Sequence, residues 1–518
     1  MKSFLNKKNK KIVIYQINTS TFKDSNKSGY GDYNGVISKI DDYIAHLGID
    51  ILLINNILDY YQSLNSLNEI HVKYGSLYEL KSMISKLGLQ NIQTGVTIEI
   101  DKIKTSFANY QRAHRFYDSN KQIDNDNEEI KLSSLDKYTL HDSKRQSKLD
   151  LNSNIVSYYE KILRFYAQLG CKAIVLENVE SLKMDNGKNY SSELMQKLKE
   201  LYLITKRFDG DIKFIIKTNF IDKKFALKTL NLSEPICDYI LIDRFAFVGR
   251  DKNHENYLIK KFKPAKLFKD VTKYFHYHQF ITSLASNKVG RINSRWGDEF
   301  CFSKESAKSI ALLNFAASNS KLIYYGDELG MLKVKINTTS DFKISEYNEI
   351  KRRLESKKIN PQKFFESMKY QNEISTNSIM TWSNELNAGF SQKQNIDFLK
   401  PENFKQINVR DEISDSDSVL NSYRFFTKQL PNIAEYKALL SEGSVRTKCN
   451  FLNPNILRII RTFGNQKMIF VINLSPKPVN ILLNSKLEIV YSTYANKKYA
   501  QVPKQLDPFE SLILYKNV

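Results

Sequence analysis

Cysteine is scarce and scattered. Cys171, Cys237, Cys301 and Cys449 are the only four in 518 residues, with no Cys-x-x-Cys pair and no zinc-ligand spacing. This argues against a disulfide-stapled scaffold or a cysteine zinc module, and reduced structural thiols are expected. No run of 18 apolar residues occurs, so no membrane-spanning helix is expected. The opening MKSFLNKKNKKIVIYQI has neither a long apolar stretch nor a small-residue cleavage site. No signal peptide is read there, and a cytoplasmic location is expected. No P-loop, no dinucleotide-binding glycine fingerprint and no Ser-His-Asp spacing is found, so those enzyme classes gain no support. Acidic residues are the minority: 56 Asp and Glu stand against 78 Lys and Arg, a net charge of +22. Such an excess attracts polyanions. The lysines are spread over the whole chain without a long block, so the charge reads as a diffuse bias and nucleic acid is not expected as a partner.

The apolar content of 42% is ample for a core. Its pattern alternates. Strand-like KIVIYQI (11–17), IDILLINN (49–56), IQTGVTIEI (92–100), KAIVLEN (172–178) and IKFIIKT (212–218) are separated by helical stretches at 35–48, 76–88, 156–170 and 191–208. Glycine closes several of those helices. Continuous apolar strands alternating with amphipathic helices imply a parallel sheet. About eight such units fit before residue 430, which predicts an α/β fold of the (β/α)₈ TIM-barrel type over 1–101 and 153–430. The polar segment 102–152, with NKQIDNDNEEIK at its centre, reads as a reduced insertion subdomain after the third strand. Short alternating strands (LRIIRTF, KMIFVINL, VNILL, LEIVYST, SLILYKN) predict an antiparallel β-sandwich domain within 431–518.

Ordered blocks then carry a resemblance. They are IVIYQINTSTFKDSNKSGYGDYNGVISKIDDYIAHLGID (12–50), HDSKRQSKLDLNSNIVSYYEKILRFYAQLG (141–170), GRINSRWGDE (290–299), LIYYGDELGM (322–331), MTWSNELNAGF (380–390), INVRDEISDSDSVLNSYR (407–424) and LDPFESLILY (506–515). Over residues 11–518 the chain resembles the α-amylase superfamily of glycoside hydrolases. More narrowly, it is similar to the α-glucosidase, oligo-1,6-glucosidase and trehalose-6-phosphate hydrolase branch.

That resemblance implies retaining hydrolysis of α-glycosides by three carboxylates at strand ends: an Asp nucleophile after strand four, a Glu acid/base after strand five and an Asp after strand seven. This chain departs from the pattern at each. Strand four ends AIVLE, so Glu177 holds the nucleophile position and Val175 replaces the arginine before it. Strand five reads FIIKT, which puts Lys217 where the acid belongs. After strand seven, ASNK puts Asn287 and Lys288 in place of His and Asp. Strand three reads TGVTIE and ends at Glu99. Retaining hydrolysis needs two carboxyl groups ~5–5.5 Å apart, one attacking and one donating a proton. A lysine near its normal pKa is a poor proton donor at neutral pH, and its charge opposes the cation that develops on the sugar.

The leading expectation is therefore a member that has lost hydrolysis, a pseudoenzyme acting as a cytoplasmic binding or structural protein with a protein partner or a second copy of itself. Two alternatives stay open. One is a residual α-glucosidase or phosphotrehalase-type hydrolase built on Glu177 and Glu99. The other is a sugar-phosphate or anion sensor using Lys217, Lys288, Asn287 and Arg291. Glu177 is expected within ion-pair reach of Lys217, Lys288 or both, with one positive charge left over for an anion.

Two further patterns could hold metal. DSNKSGYGD resembles the family's cation loop, with Asp24, Asn26, Ser28, the Tyr30 carbonyl and Asp32 as candidate Ca²⁺ ligands. Ser28 stands where the family has Asp, which removes one charge. His276 and His278 form a pair without an evident third ligand and read as structural. Trp382 and Phe390 read as core residues rather than sugar platforms.

Overall fold

A computed structural model of the chain describes residues 10–55, 74–100, 153–179, 184–185, 189–190, 192–218, 230, 235–254, 257–342, 347–449, 453–483, 486–495 and 501–517. The expected insertion at 102–152 lies outside the described residues.

Eight parallel strands close into a barrel in chain order: β1 Val13–Ile17, β2 Ile51–Ile54, β3 Gln93–Glu99, β4 Ala173–Glu177, β5 Lys213–Thr218, β6 Tyr239–Ile242, β7 Phe280–Ser283 and β8 Ser320–Tyr324. The last pairs with the first, Lys321 beside Val13. Most of these strand residues are buried, which is why the strands read as unbroken apolar runs rather than alternating ones. Because all eight strands run the same way, their carboxyl ends meet at one mouth. Among the described residues, no helix is long and apolar enough to cross a membrane.

The helices follow the expected rhythm with two departures. The helical stretch predicted over 35–48 is broken into a short helix, Tyr33–Ile37, and a 3-10 turn, Ile44–His46. Between them Ile44 N–H bonds Lys39 O and Ala45 N–H bonds Ile40 O, both five residues back, which widens the turn. The bulge accompanies the burial of Tyr43, whose hydroxyl donates to Glu328 Oε1 at 2.6 Å. In the next helix, Leu77–Leu89, Ser76 caps the start in a reciprocal capping box with Glu79. Gly88 does not end it. The left-handed residue is Asn91, at φ 57°.

The C-terminal region forms a five-stranded antiparallel sheet: β9 Ser444–Cys449, β10 Ile456–Phe463, β11 Gln466–Asn473, β12 Glu488–Ser492 and β13 Leu512–Asn517, in spatial order 9-10-11-13-12. A two-stranded pair, Val479–Asn480 with Gln505–Leu506, shares a small core with it through Ile456, Val471 and Leu514. The first strand starts at Ser444, ahead of LRIIRTF, the first alternating run read from sequence. Arg461, 1% exposed, fixes this region to the barrel by donating to Ala316 O at 3.1 Å and Leu440 O at 2.6 Å.

Candidate functional site at the barrel mouth

Glu177 is the last residue of β4 and Lys217 the fifth of six in β5. The two strands pair in register through Leu176 and Ile216, so these next residues emerge side by side. Lys217 Nζ lies 3.0 Å from Glu177 Oε1. A third group joins them. Asp243 follows the last residue of β6, and its Oδ2 is 3.5 Å from Lys217 Nζ. Ser286, in the turn after β7, donates its hydroxyl to the same carboxylate at 3.3 Å. All three charged residues are buried: Lys217 is 6% exposed, Glu177 3% and Asp243 1%. Burial alone would push the Lys217 ammonium down. The charges of Glu177 and Asp243, with their hydrogen bonds, outweigh it and hold its pKa above the ordinary lysine value. The centre is thus a carboxylate–ammonium–carboxylate triad with one net negative charge.

This differs from the cluster expected from sequence in two respects. Asp243 was not singled out, although ILID at 240–243 ends strand six with an acid much as AIVLE ends strand four. Also, no positive charge is left over at the triad, because Lys217 is shared by two carboxylates. Lys288 is not within ion-pair distance of Glu177 and instead donates to Asn178 Oδ1 at 2.7 Å on an exposed edge.

The remaining anion candidates separate. Arg291 is 1% exposed and turned into the protein, where Nε reaches Ser375 O at 3.1 Å and Nη1 reaches Tyr325 O at 2.5 Å. Its guanidinium also donates to Ser378 Oγ and lies 4.0 Å from the carboxylate of Asp327. The backbone carbonyl of Asn287 accepts from Asn377 Nδ2 at 3.1 Å. Glu99, last in β3, sits in register with Glu177, so both side chains leave the sheet on the same face.

The 24–32 loop lies between β1 and the helix Tyr33–Ile37. Asp24 and Asp32 are each 4% exposed. Asp24 Oδ1 accepts from Asn26 N–H at 3.1 Å, and Oδ2 from Gly29 N–H at 2.8 Å and Ser391 Oγ at 2.5 Å. Asp32 Oδ1 accepts from Ser25 Oγ at 2.7 Å and caps the helix through Gly35 N–H at 2.6 Å, while Oδ2 takes Ser25 N–H at 2.9 Å. Asn26 Oδ1 accepts from Ser28 N–H, and Ser28 Oγ donates to the Tyr30 carbonyl. Among the described residues no group of three or more His, Cys, Asp or Glu is gathered as a metal set, His276 and His278 included. Trp382 and Phe390 are buried at 6% and 0%, with Trp382 edge-on to Phe22 and Tyr43.

Residues 16–435 match the family described as "Alpha amylase, catalytic domain". An oligo-1,6-glucosidase of Parageobacillus thermoglucosidasius is 23% identical over 97% of this chain and 98% of its own length. A trehalose-6-phosphate hydrolase of Bacillus subtilis (strain 168) is 20% identical over 90% of this chain and 89% of its own. The crystal structure of Bacillus licheniformis trehalose-6-phosphate hydrolase superposes with a TM-score of 0.78 at 18% identity, covering 98% of this chain and 99% of that one. By the family match and the barrel it describes, this chain belongs to the alpha-amylase family, on the branch of the oligo-1,6-glucosidases, α-glucosidases and trehalose-6-phosphate hydrolases.

Proposed function

We propose that this chain is an alpha-amylase-family protein that has lost glycoside hydrolysis and serves in the cytoplasm as a binding or structural protein, with a protein partner or a second copy of itself. The observation that carries the reading is Lys217, held between Glu177 and Asp243 at 3.0 Å and 3.5 Å. A nucleophile must bring a free carboxylate lone pair to the anomeric carbon. Here Glu177 already gives an oxygen to an ammonium. The acid must release a proton to the departing oxygen, and an ammonium held above its ordinary pKa gives its proton up less readily at neutral pH. The same ammonium would oppose the oxocarbenium charge of the transition state.

The test is an assay of the purified chain on maltose, isomaltose, trehalose 6-phosphate and an aryl α-glucoside. No hydrolysis above buffer is expected. Hydrolysis that disappears in Glu177→Gln would reject the reading in favour of a working hydrolase. One observation favours that second reading: Glu99 and Glu177 stand in register on neighbouring strands, as two carboxylates sharing a site would. In that case Glu99→Gln should abolish the rate as fully as Glu177→Gln. Proposed as a sugar-phosphate sensor, the mouth would have to rely on Lys288, since Lys217 and Arg291 are committed elsewhere.

A further inference from the structure

The family resemblance implies a divalent cation in the 24–32 loop, and the residues present do not fit one. Calcium takes ~6–8 oxygens at ~2.3–2.6 Å, and its affinity follows the carboxylate count. This loop offers two carboxylates, Asp24 and Asp32. Each has one oxygen with two donors already on it: Asp24 Oδ2 with Gly29 N–H and Ser391 Oγ, Asp32 Oδ1 with Ser25 Oγ and Gly35 N–H. Three of those four donors belong to the loop's own neighbourhood in sequence. The fourth, Ser391, comes from a segment 367 residues away.

Two ammonium groups cross between that segment and the loop, one from each side. Lys23, next to Asp24, sends Nζ to Gly389 O at 2.8 Å and Phe390 O at 3.2 Å. Lys393 reaches in the opposite direction and donates Nζ to Ser28 O at 2.9 Å. Backbone completes the join: Asp24 N–H bonds Phe390 O at 3.1 Å. The receiving turn is shaped for this. Asn387, Ala388 and Gly389 all lie in the left-handed region, at φ 49°, 55° and 69°. A non-glycine residue rarely adopts it without compensation. The turn aims the carbonyls of Gly389 and Phe390 at Lys23. The side chain of Lys393 packs over Gly29, where an added Cβ would come within 3.0 Å of it.

We propose that the 24–32 loop is held without a divalent cation, its two buried aspartates met by N–H and O–H donors and its join to residues 389–393 tied by the ammonium groups of Lys23 and Lys393 on backbone carbonyls. A calcium ion would have to compete with those donors for Asp24 and Asp32, and the Lys393 ammonium already stands on the carbonyl of Ser28, one of the expected ligand residues.

The experiment uses the full chain, dialysed first against a chelator, and follows thermal unfolding with and without millimolar calcium chloride. The midpoint is expected to be the same in both. A midpoint raised by calcium, or restored by it after chelation, would overturn the proposal. Lys23→Met and Lys393→Met should each lower the midpoint, Lys23→Met by more because it loses two carbonyl contacts. Midpoints unchanged in both variants would also overturn it. Terbium luminescence, excited through Tyr30, stays informative even where a variant fails to fold. The wild-type chain is expected to give no saturable emission. Emission displaced by calcium and lost in Asn26→Ala would show a metal loop after all.

Discussion

Lys217 Nζ and Glu177 Oε1 lie 3.0 Å apart at the ends of neighbouring barrel strands, and both residues are almost wholly buried. Lys217 Nζ also lies 3.5 Å from Asp243 Oδ2. Replacing Lys217 by methionine keeps the bulk and removes the charge that both carboxylates face. Breaking a buried pair this way typically costs ~3–5 kcal/mol. Urea unfolding of Lys217→Met should show a loss of that order. Glu177→Gln should cost less, since Asp243 still faces the ammonium. Lys217→Met unfolding with the wild-type midpoint would refute the triad as a structural unit.

The pH dependence of that loss has a definite sign. The folded-state pKa of Lys217 is raised above the unfolded value of ~10.4. Its contribution is therefore complete below about pH 10 and fades only as the pH climbs through the higher folded value. The gap between wild type and Lys217→Met should stay flat from about pH 6 to about pH 9. A gap that closes within that window would contradict the pairing.

Glu412 predicts the opposite behaviour. It is 8% exposed and accepts Leu420 N–H at 2.9 Å. Burial pushes its carboxyl up to about 8, opposed by that hydrogen bond and reinforced by the charge of Glu328. The unfolded value is ~4.3. Between the two, the folded state holds more protons, so stability falls as pH rises. Glu412→Gln should remove this fall: similar stability near pH 5 and a gain of a few kcal/mol, at most ~1.4 per pH unit, near pH 8. Denaturant midpoints at both pH values check it.

Lys321 sits on β8 with no exposed surface, bonded to Asn319 Oδ1. Burial pushes its pKa far down, and the charges of Lys11 and Arg461 push it further. The folded chain then binds fewer protons than the unfolded one below about pH 10, so this lysine destabilises more as pH falls. Lys321→Met should raise the melting temperature, by more at neutral pH than at about pH 10. A variant that melts earlier at pH 7 would show that the bond to Asn319 outweighs the charge.

Phosphate should leave the melting temperature of the wild type unchanged. Lys217 is shared by two carboxylates, and Arg291 is bound to the carbonyls of Ser375 and Tyr325. Stabilisation by phosphate that is lost in Lys288→Ala would instead support the sensor reading.

The barrel and the antiparallel C-terminal sheet were legible in the chain because both rest on short-range periodicity. Buried parallel strands such as ILLI and AIVL must be apolar on both faces, and the later strands must alternate. The places of Lys217 near the end of strand five and of Lys288 after strand seven were legible too, since the surrounding runs fix them in the order. What periodicity could not supply is which side chains meet. Asp243 follows a strand 66 residues after Glu177, and only closure of the barrel puts its carboxylate on the same ammonium. Arg291 looked like an anion ligand from its block. Tertiary packing turns it inward to backbone carbonyls that lie 34 and 84 residues away in the chain. The helix predicted over 35–48 fails for the same reason: burial of Tyr43 against Glu328 outweighs local helical preference. Sequence alone determined the layers and the places of Lys217 and Lys288 at strands five and seven. Tertiary structure decided which charges meet at the mouth, because ion pairs form between groups that chain closure brings within a few ångströms and that no local pattern records.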